Sequence, residues 1–148
     1  MRRACRRACG LSGGASEAWT RRDEGVCCIL GGRGDIDTIL AALTPDVSWE
    51  SVGRPEDFPT LGPRHGIDGV REFFRLVAKS LEFSDFSPRD FHAADGKVFV
   101  QGHYEATVRT TGRKAAADWV HIFTVKDGKV SRFREHTDTA QFAEAWRG

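Results

Sequence analysis

The sequence predicts an α+β fold: a helix, a strand, a loop and a helix, then a long meander of antiparallel strands and a closing helix. Three observations carry this. Apolar residues recur at helical spacing from Ile67 to Leu81. The period then changes to two, and strand-like segments follow one another as far as Thr137. Asp95-Gly96 and Asp127-Gly128 interrupt those segments with the residue pairs that tight hairpins favour. A strongly curved sheet of this order rolls around its helices and leaves a cone-shaped internal pocket.

In chain order, Asp35 is suited to cap a first helix carrying Ile36, Ile39, Leu40 and Leu43, which Pro45 should stop. Val47 and Trp49, with Ser51-Val52, suggest a short strand. Residues 53–66 hold three prolines and three glycines and read as a rim loop. The next helix, 67–81, sets Ile67, Val70, Phe73, Phe74, Val77 and Leu81 on one face, with Arg71, Glu72, Arg75 and Lys79 opposite. Phe83, Phe86 and Phe91 mark a strand with a bulge expected at Pro88. Strands are expected at 97–108, 114–125 and 129–137, with a turn at Thr111-Gly112. Asp138 should cap the last helix, with Gln141 in capping-box position and Phe142 and Trp146 on its apolar side.

The chain has 148 residues, enough for one domain with a real core. Its net charge of +1 argues against a general nucleic-acid or membrane-surface binder. That balance hides a split. Residues 1–22 carry six arginines and one acid, whereas the remainder has 16 basic and 20 acidic residues. No apolar run is long enough for a membrane span and no secretory signal core is visible, so the cytoplasm is the expected compartment. Cys5, Cys9, Cys27 and Cys28 all lie near the start, without the spacing of a zinc site or disulfide scaffold, and read as reduced thiols. Residues 1–30 are expected to be a basic, Gly/Arg-rich extension, either disordered or an incorrectly assigned gene start, with the domain spanning 31–148. No ligand cluster or phosphate loop points to a metal or organic cofactor.

Several segments resemble a known family. They are Gly34-Asp35-Ile36-Asp37, Leu43 to Trp49, Gly66 to Phe74, Trp119 to Phe123 and Phe133 to Ala140 with Asp127-Gly128 before it. In order and spacing they are similar to SnoaL-like domains of the nuclear-transport-factor-2-like superfamily, over about residues 31–146. The resemblance implies a cystatin-like α+β barrel around a mostly apolar pocket, usually in a dimer. It spans polyketide cyclases, ketosteroid isomerases, epoxide hydrolases and non-catalytic binders, so it does not fix an activity.

Two-residue turns at Thr111-Gly112 and Asp127-Gly128 would set the strand register. One face would then carry Phe99, Gln101, His103, Glu105, Asp118, Val120, Ile122, Phe133 and Glu135. The other would carry Val98, Val100, Gly102, Tyr104, Trp119, His121, Phe123, Val125, Arg134 and His136. A single bulge would swap one strand's set. Periodicity leaves the choice of inner face open. The resemblance favours the first, because family cyclases use a histidine and an aspartate at places matching His103, within a residue, and Asp118. Family epoxide hydrolases use acids at the places of Glu105 and Glu135. The candidate catalytic residues are therefore His103, Asp118, Glu105 and Glu135, with Trp49, Val120, Ile122 and Phe133 binding substrate. A carboxylate among apolar walls becomes a base near neutral pH, and a histidine beside it can protonate an oxyanion. The expected function is binding of a small apolar or carbonyl-containing molecule, with isomerase- or cyclase-type acid/base catalysis. The alternative is a non-catalytic ligand-binding or dimerisation module. The expected partners are a small molecule and a second copy across the open sheet face, with neither nucleic acid nor membrane.

Overall fold

A computed structural model describes residues 36–148. The basic N-terminal stretch, the Asp35 cap and the four cysteines lie outside the described residues. The elements run α1 (Ile36–Ala41), β1 (Leu43–Ser51), β2 (Gly62–His65), α2 (Gly66–Ser80), β3 (Leu81–Ala94), β4 (Lys97–Val108), β5 (Lys114–Lys126), β6 (Lys129–Thr137) and α3 (Thr139–Arg147). The strands form one curved open sheet in the order β2-β1-β6-β5-β4-β3. Every pairing is antiparallel except β1 with β6, which is parallel. The fold is α+β, as the periodicity predicts.

The Asp-Gly turns form as expected. Asp95 and Gly96 have φ of 51° and 73°, and Asp127 and Gly128 have 51° and 79°. Left-handed backbone at both central positions matches the twist of the flanking strands. β3 shifts register between Phe83 and Asp85 and again between Pro88 and Asp90, so the bulge expected at Pro88 is present. Helix α1 ends at Ala41, earlier than its apolar spacing suggests. β1 begins at Leu43 and runs through Pro45, and its pairing with β6 shifts between Leu43 and Ser48. The missing proline N–H is tolerated in such an irregular stretch. Residues 62–65, expected as loop, add the edge strand β2, where Pro63 is likewise tolerated. The capping box expected at Asp138 and Gln141 does not form, for no side chain caps α3. Its place is set by packing instead: Phe142 is buried and Trp146 meets Phe58 at 5.3 Å.

Two details of register decide which side chains face inward. The β4–β5 hairpin closes at Val108, whose N–H donates to Arg113 at 2.8 Å, so Thr111-Gly112 sits in a longer loop. Partners slide by two, which preserves faces but puts His103 opposite Asp118 rather than Val120. The β5–β6 hairpin starts with Lys126 opposite Lys129 and Val125 opposite Val130, and then pairs Thr124 with Arg132. Ser131 is the extra residue of a β-bulge, and its hydroxyl donates to the Thr124 carbonyl at 3.3 Å. Beyond it β6 is shifted by one, so Glu135 lies opposite His121, not Val120.

The buried face of β4 carries Val98, Val100, Gly102, Tyr104, Ala106 and Val108, and that of β5 carries Ala115, Ala117, Trp119, His121 and Phe123. The face assignment of β4 and β5 is thus the reverse of the one favoured from the resemblance. His103, Glu105, Asp118, Val120 and Ile122 lie on the outer face, whereas Trp119, His121 and Tyr104 point inward. The reason is in the composition of β4. Its outer row includes Lys97, Gln101, His103, Glu105 and Thr107, and a core cannot absorb that many polar groups. β6 faces as expected, with Phe133 buried and Glu135 inward, because the Ser131 bulge inverts that strand relative to β5. The helices close over this face: α2 brings Phe73 and Phe74 to within 5.6 Å of Trp49, and α3 brings Phe142 to 5.4 Å from Tyr104.

Candidate functional site

The sheet assembles a polar row across its apolar inner face. His121 on β5 pairs with Glu135 on β6, and Glu135 pairs with Ser51 on β1. His121 Nε2 lies 2.7 Å from Glu135 Oε2, and Ser51 Oγ donates to Glu135 Oε1 at 2.7 Å. The histidine side chain is 6% exposed and the glutamate side chain 15%. Burial pushes the Glu135 carboxyl up, but the hydrogen bond and charge of His121, the Ser51 hydroxyl and the charge of His136 outweigh it. The group ends below its ordinary range. An ionised Glu135 only accepts, so His121 donates from Nε2; Nδ1 is the nitrogen outside the pair, and it is bare when the imidazole is neutral. That Nδ1 is buried and has no hydrogen-bond partner among the described residues.

Aromatic rings hold the row in place. Trp119 stacks on His121 with centroids 3.9 Å apart, and Phe133 meets the same imidazole edge-on at 4.9 Å. Trp49 stacks on Phe133 at 4.0 Å. Trp119 can lie across β4 only because residue 102 is glycine: a Cβ there would fall against the indole ring and 2.6 Å from the Ser87 carbonyl oxygen. The indole N–H groups of Trp49 and Trp119 are buried and unpartnered among the described residues. Tyr104 lies further along the same face. Burial, then the charge of Glu135, push its phenol up, against a hydrogen bond with Thr137, so it stays protonated.

Of the residues chosen from sequence, Glu135, Trp49 and Phe133 come together here. His103, Glu105 and Asp118 form a separate cluster on the outer face, with His103 Nδ1 2.8 Å from Asp118 Oδ1 and Nε2 3.7 Å from Glu105. The Asp118 side chain is 85% exposed, so no apolar wall surrounds it. Val120 and Ile122 are half-buried on that face. A depression of about 370 Å³ opens there, lined by Arg89, Asp90, Gln101, Asp118, Val120 and His136 among others. The residues missed from sequence are His121, Trp119, Tyr104 and Ser51. Among the described residues no cluster of three or more His, Cys, Asp or Glu could hold a metal, and no helix is long and apolar enough to cross a membrane.

The profile of the SnoaL-like domain matches residues 31–133. The chain belongs to the SnoaL-like domain family. No curated protein matches it. Solved structures share the fold over most of their length. An NTF2-like protein from Burkholderia xenovorans LB400 is 29% identical, with 84% of this chain and 95% of that one covered and a TM-score of 0.75. An NTF2-like protein of unknown function from Burkholderia pseudomallei K96243 is 26% identical, with 86% and 98% covered and a TM-score of 0.75. TerC, co-crystallised with polyporic acid, is 28% identical, with 87% and 100% covered and a TM-score of 0.74.

Proposed function

We propose that this SnoaL-like protein binds a small, mostly apolar, carbonyl-containing molecule against the inner face of its sheet and moves a proton on it, as isomerases and cyclases do. The observation that carries the reading is the His121–Glu135–Ser51 row. Both Glu135 oxygens are engaged, so the carboxylate positions the imidazole rather than taking the proton itself. His121 removes a proton beside the carbonyl at Nδ1, and the imidazolium so formed is stabilised by the carboxylate at Nε2. The complex of TerC with polyporic acid supports a small organic ligand in this fold.

The test is deuterium uptake at the α-carbon of an aryl ketone in D2O. His121→Asn should slow it by about 10²-fold or more, the usual contribution of a general base, while the thermal melt stays cooperative. Equal rates in wild type and variant would overturn the reading. The satisfied Ser51–Glu135–His121 chain also favours a second reading, a non-catalytic binder, in which a ligand is retained with no exchange at all.

The outer cluster gives a contrasting expectation. His103→Ala and Asp118→Asn should leave exchange within about twofold of wild type, and Asp118→Asn should leave folding stability within about 0.5 kcal/mol, the usual scale for an exposed partner. A hundredfold loss in either variant would move the site to the outer face. We also propose a homodimer through that outer face, where Phe99, Val120 and Ile122 are only half-buried. A monomer in sedimentation at micromolar concentration would contradict it.

A further inference from the structure

We propose that the indole N–H groups of Trp49 and Trp119 are the ligand's oxygen-binding points, flanking the free nitrogen of His121. This rests on the inner-face site proposed above and names what that site recognises. Along the sheet the residues occupy three successive rows. Trp49 lies beside Phe133 and Phe123, His121 beside Glu135 and Ser51 in the next row, and Trp119 beside Thr137 in the third. The backbone positions of the two tryptophans therefore lie in the rows on either side of the histidine row.

Packing accounts for the rings but not for their N–H groups. Trp119 is sandwiched between His121 at 3.9 Å and Phe86 at 5.2 Å, both nearly parallel to it. Trp49 is stacked on Phe133, with Phe73 and Phe74 closing in at an angle. With its faces covered, Trp119 can offer a ligand only its edge. Each tryptophan is 1% exposed, and each Nε1–H is buried without an acceptor among the described residues. Phenylalanine would fill such positions without the cost of a desolvated, unpaired donor. Two such donors and an unpaired acceptor on one inner face make a pattern that a ligand completes: two acceptor oxygens for the indoles, with an acidic hydrogen between them for His121 Nδ1. The Glu135 carboxylate lies in the row between them, so the ligand enters as a neutral or weakly acidic conjugated molecule rather than as a phosphate or other multiply charged anion.

The experiment uses the full chain with 15N-labelled indoles, titrated with 4-hydroxyacetophenone and with 4-nitrophenol. The indole signals of Trp49 and Trp119 should move on binding of either probe while that of Trp146 stays in place. Replacing either residue by 3-benzothienylalanine, which exchanges N–H for sulfur at nearly constant shape, should weaken binding about tenfold without lowering the melting temperature of the free protein. If a probe binds, is weakened by His121→Asn, and ignores both sulfur analogues, the inference fails and the inner-face function stands. If neither probe binds, or binding is indifferent to His121 as well, both fall together.

Discussion

Gly102→Val is expected to destabilise the fold by about 3 kcal/mol or more, the upper end of what overpacking costs. The new Cβ alone would lie inside van der Waals contact with Trp119 and 2.6 Å from the Ser87 carbonyl oxygen. Swinging the indole aside would relieve only one of these contacts, because the Ser87 carbonyl is backbone of β3, paired with β4 at His103. It cannot move without breaking the ladder. Any relief that does occur comes from Trp119 leaving its stack on His121. Urea titration followed by tryptophan fluorescence should show a lower midpoint and an altered native emission together. An unchanged midpoint with native emission would mean that Trp119 does not lie across Gly102.

Glu135→Ala should cost about 1–3 kcal/mol for each of two donors, the His121 Nε2–H and the Ser51 hydroxyl, which it leaves buried with no acceptor. Glu135→Gln keeps the shape and isolates the charge. The carboxyl sits below its ordinary 4.5 in the folded chain, so more protons bind the unfolded state near that value. The stabilisation from ionised Glu135 is therefore complete above pH 4.5 and is lost as pH falls through the lowered folded value. Stability measured from about pH 7 down to about pH 3 should show wild type ahead of Glu135→Gln at neutral pH, with the gap narrowing only in acid. A gap that widened in acid would reverse the sign of the His121–Glu135 interaction.

The architecture was largely legible because its strongest signals are local. Two Asp-Gly pairs demand positive φ, and the stripe from Ile67 to Phe74 has no other economical use than a helix face. β2 was not legible: four residues with a proline make pairings only at a sheet edge, and those depend on where β1 lies. The site was half legible. Trp49, Phe133 and Glu135 fall on the inner face as expected, but turn-based register puts their partner His121 on the opposite face from them. Hairpin turns set register only near the turn, and the Ser131 bulge changes it a few residues later. The signal that settles the face was nonetheless present. β4 alternates without exception from Val98 to Val108, with Gly102 and Ala106 among the inward positions and Lys97, Gln101, His103 and Glu105 outward. On β5 the small residues Ala115 and Ala117 precede Trp119 on that same side. Single positions matched to family cyclases point the opposite way from this strand-long pattern, and they put His103 and Asp118, true neighbours across β4 and β5, on the wrong side.

The inner-face His121–Glu135 pair is tested most directly by long-range 1H–15N spectra of the 15N-histidine protein, recorded at alkaline pH with Glu135→Gln as control. The His121 ring should carry its proton on Nε2, with Nδ1 bare, and addition of an inner-face ligand should perturb the Nδ1 signal first. A ring protonated on Nδ1, or one whose signals match the exposed His65, would contradict the pairing and the function proposed from it.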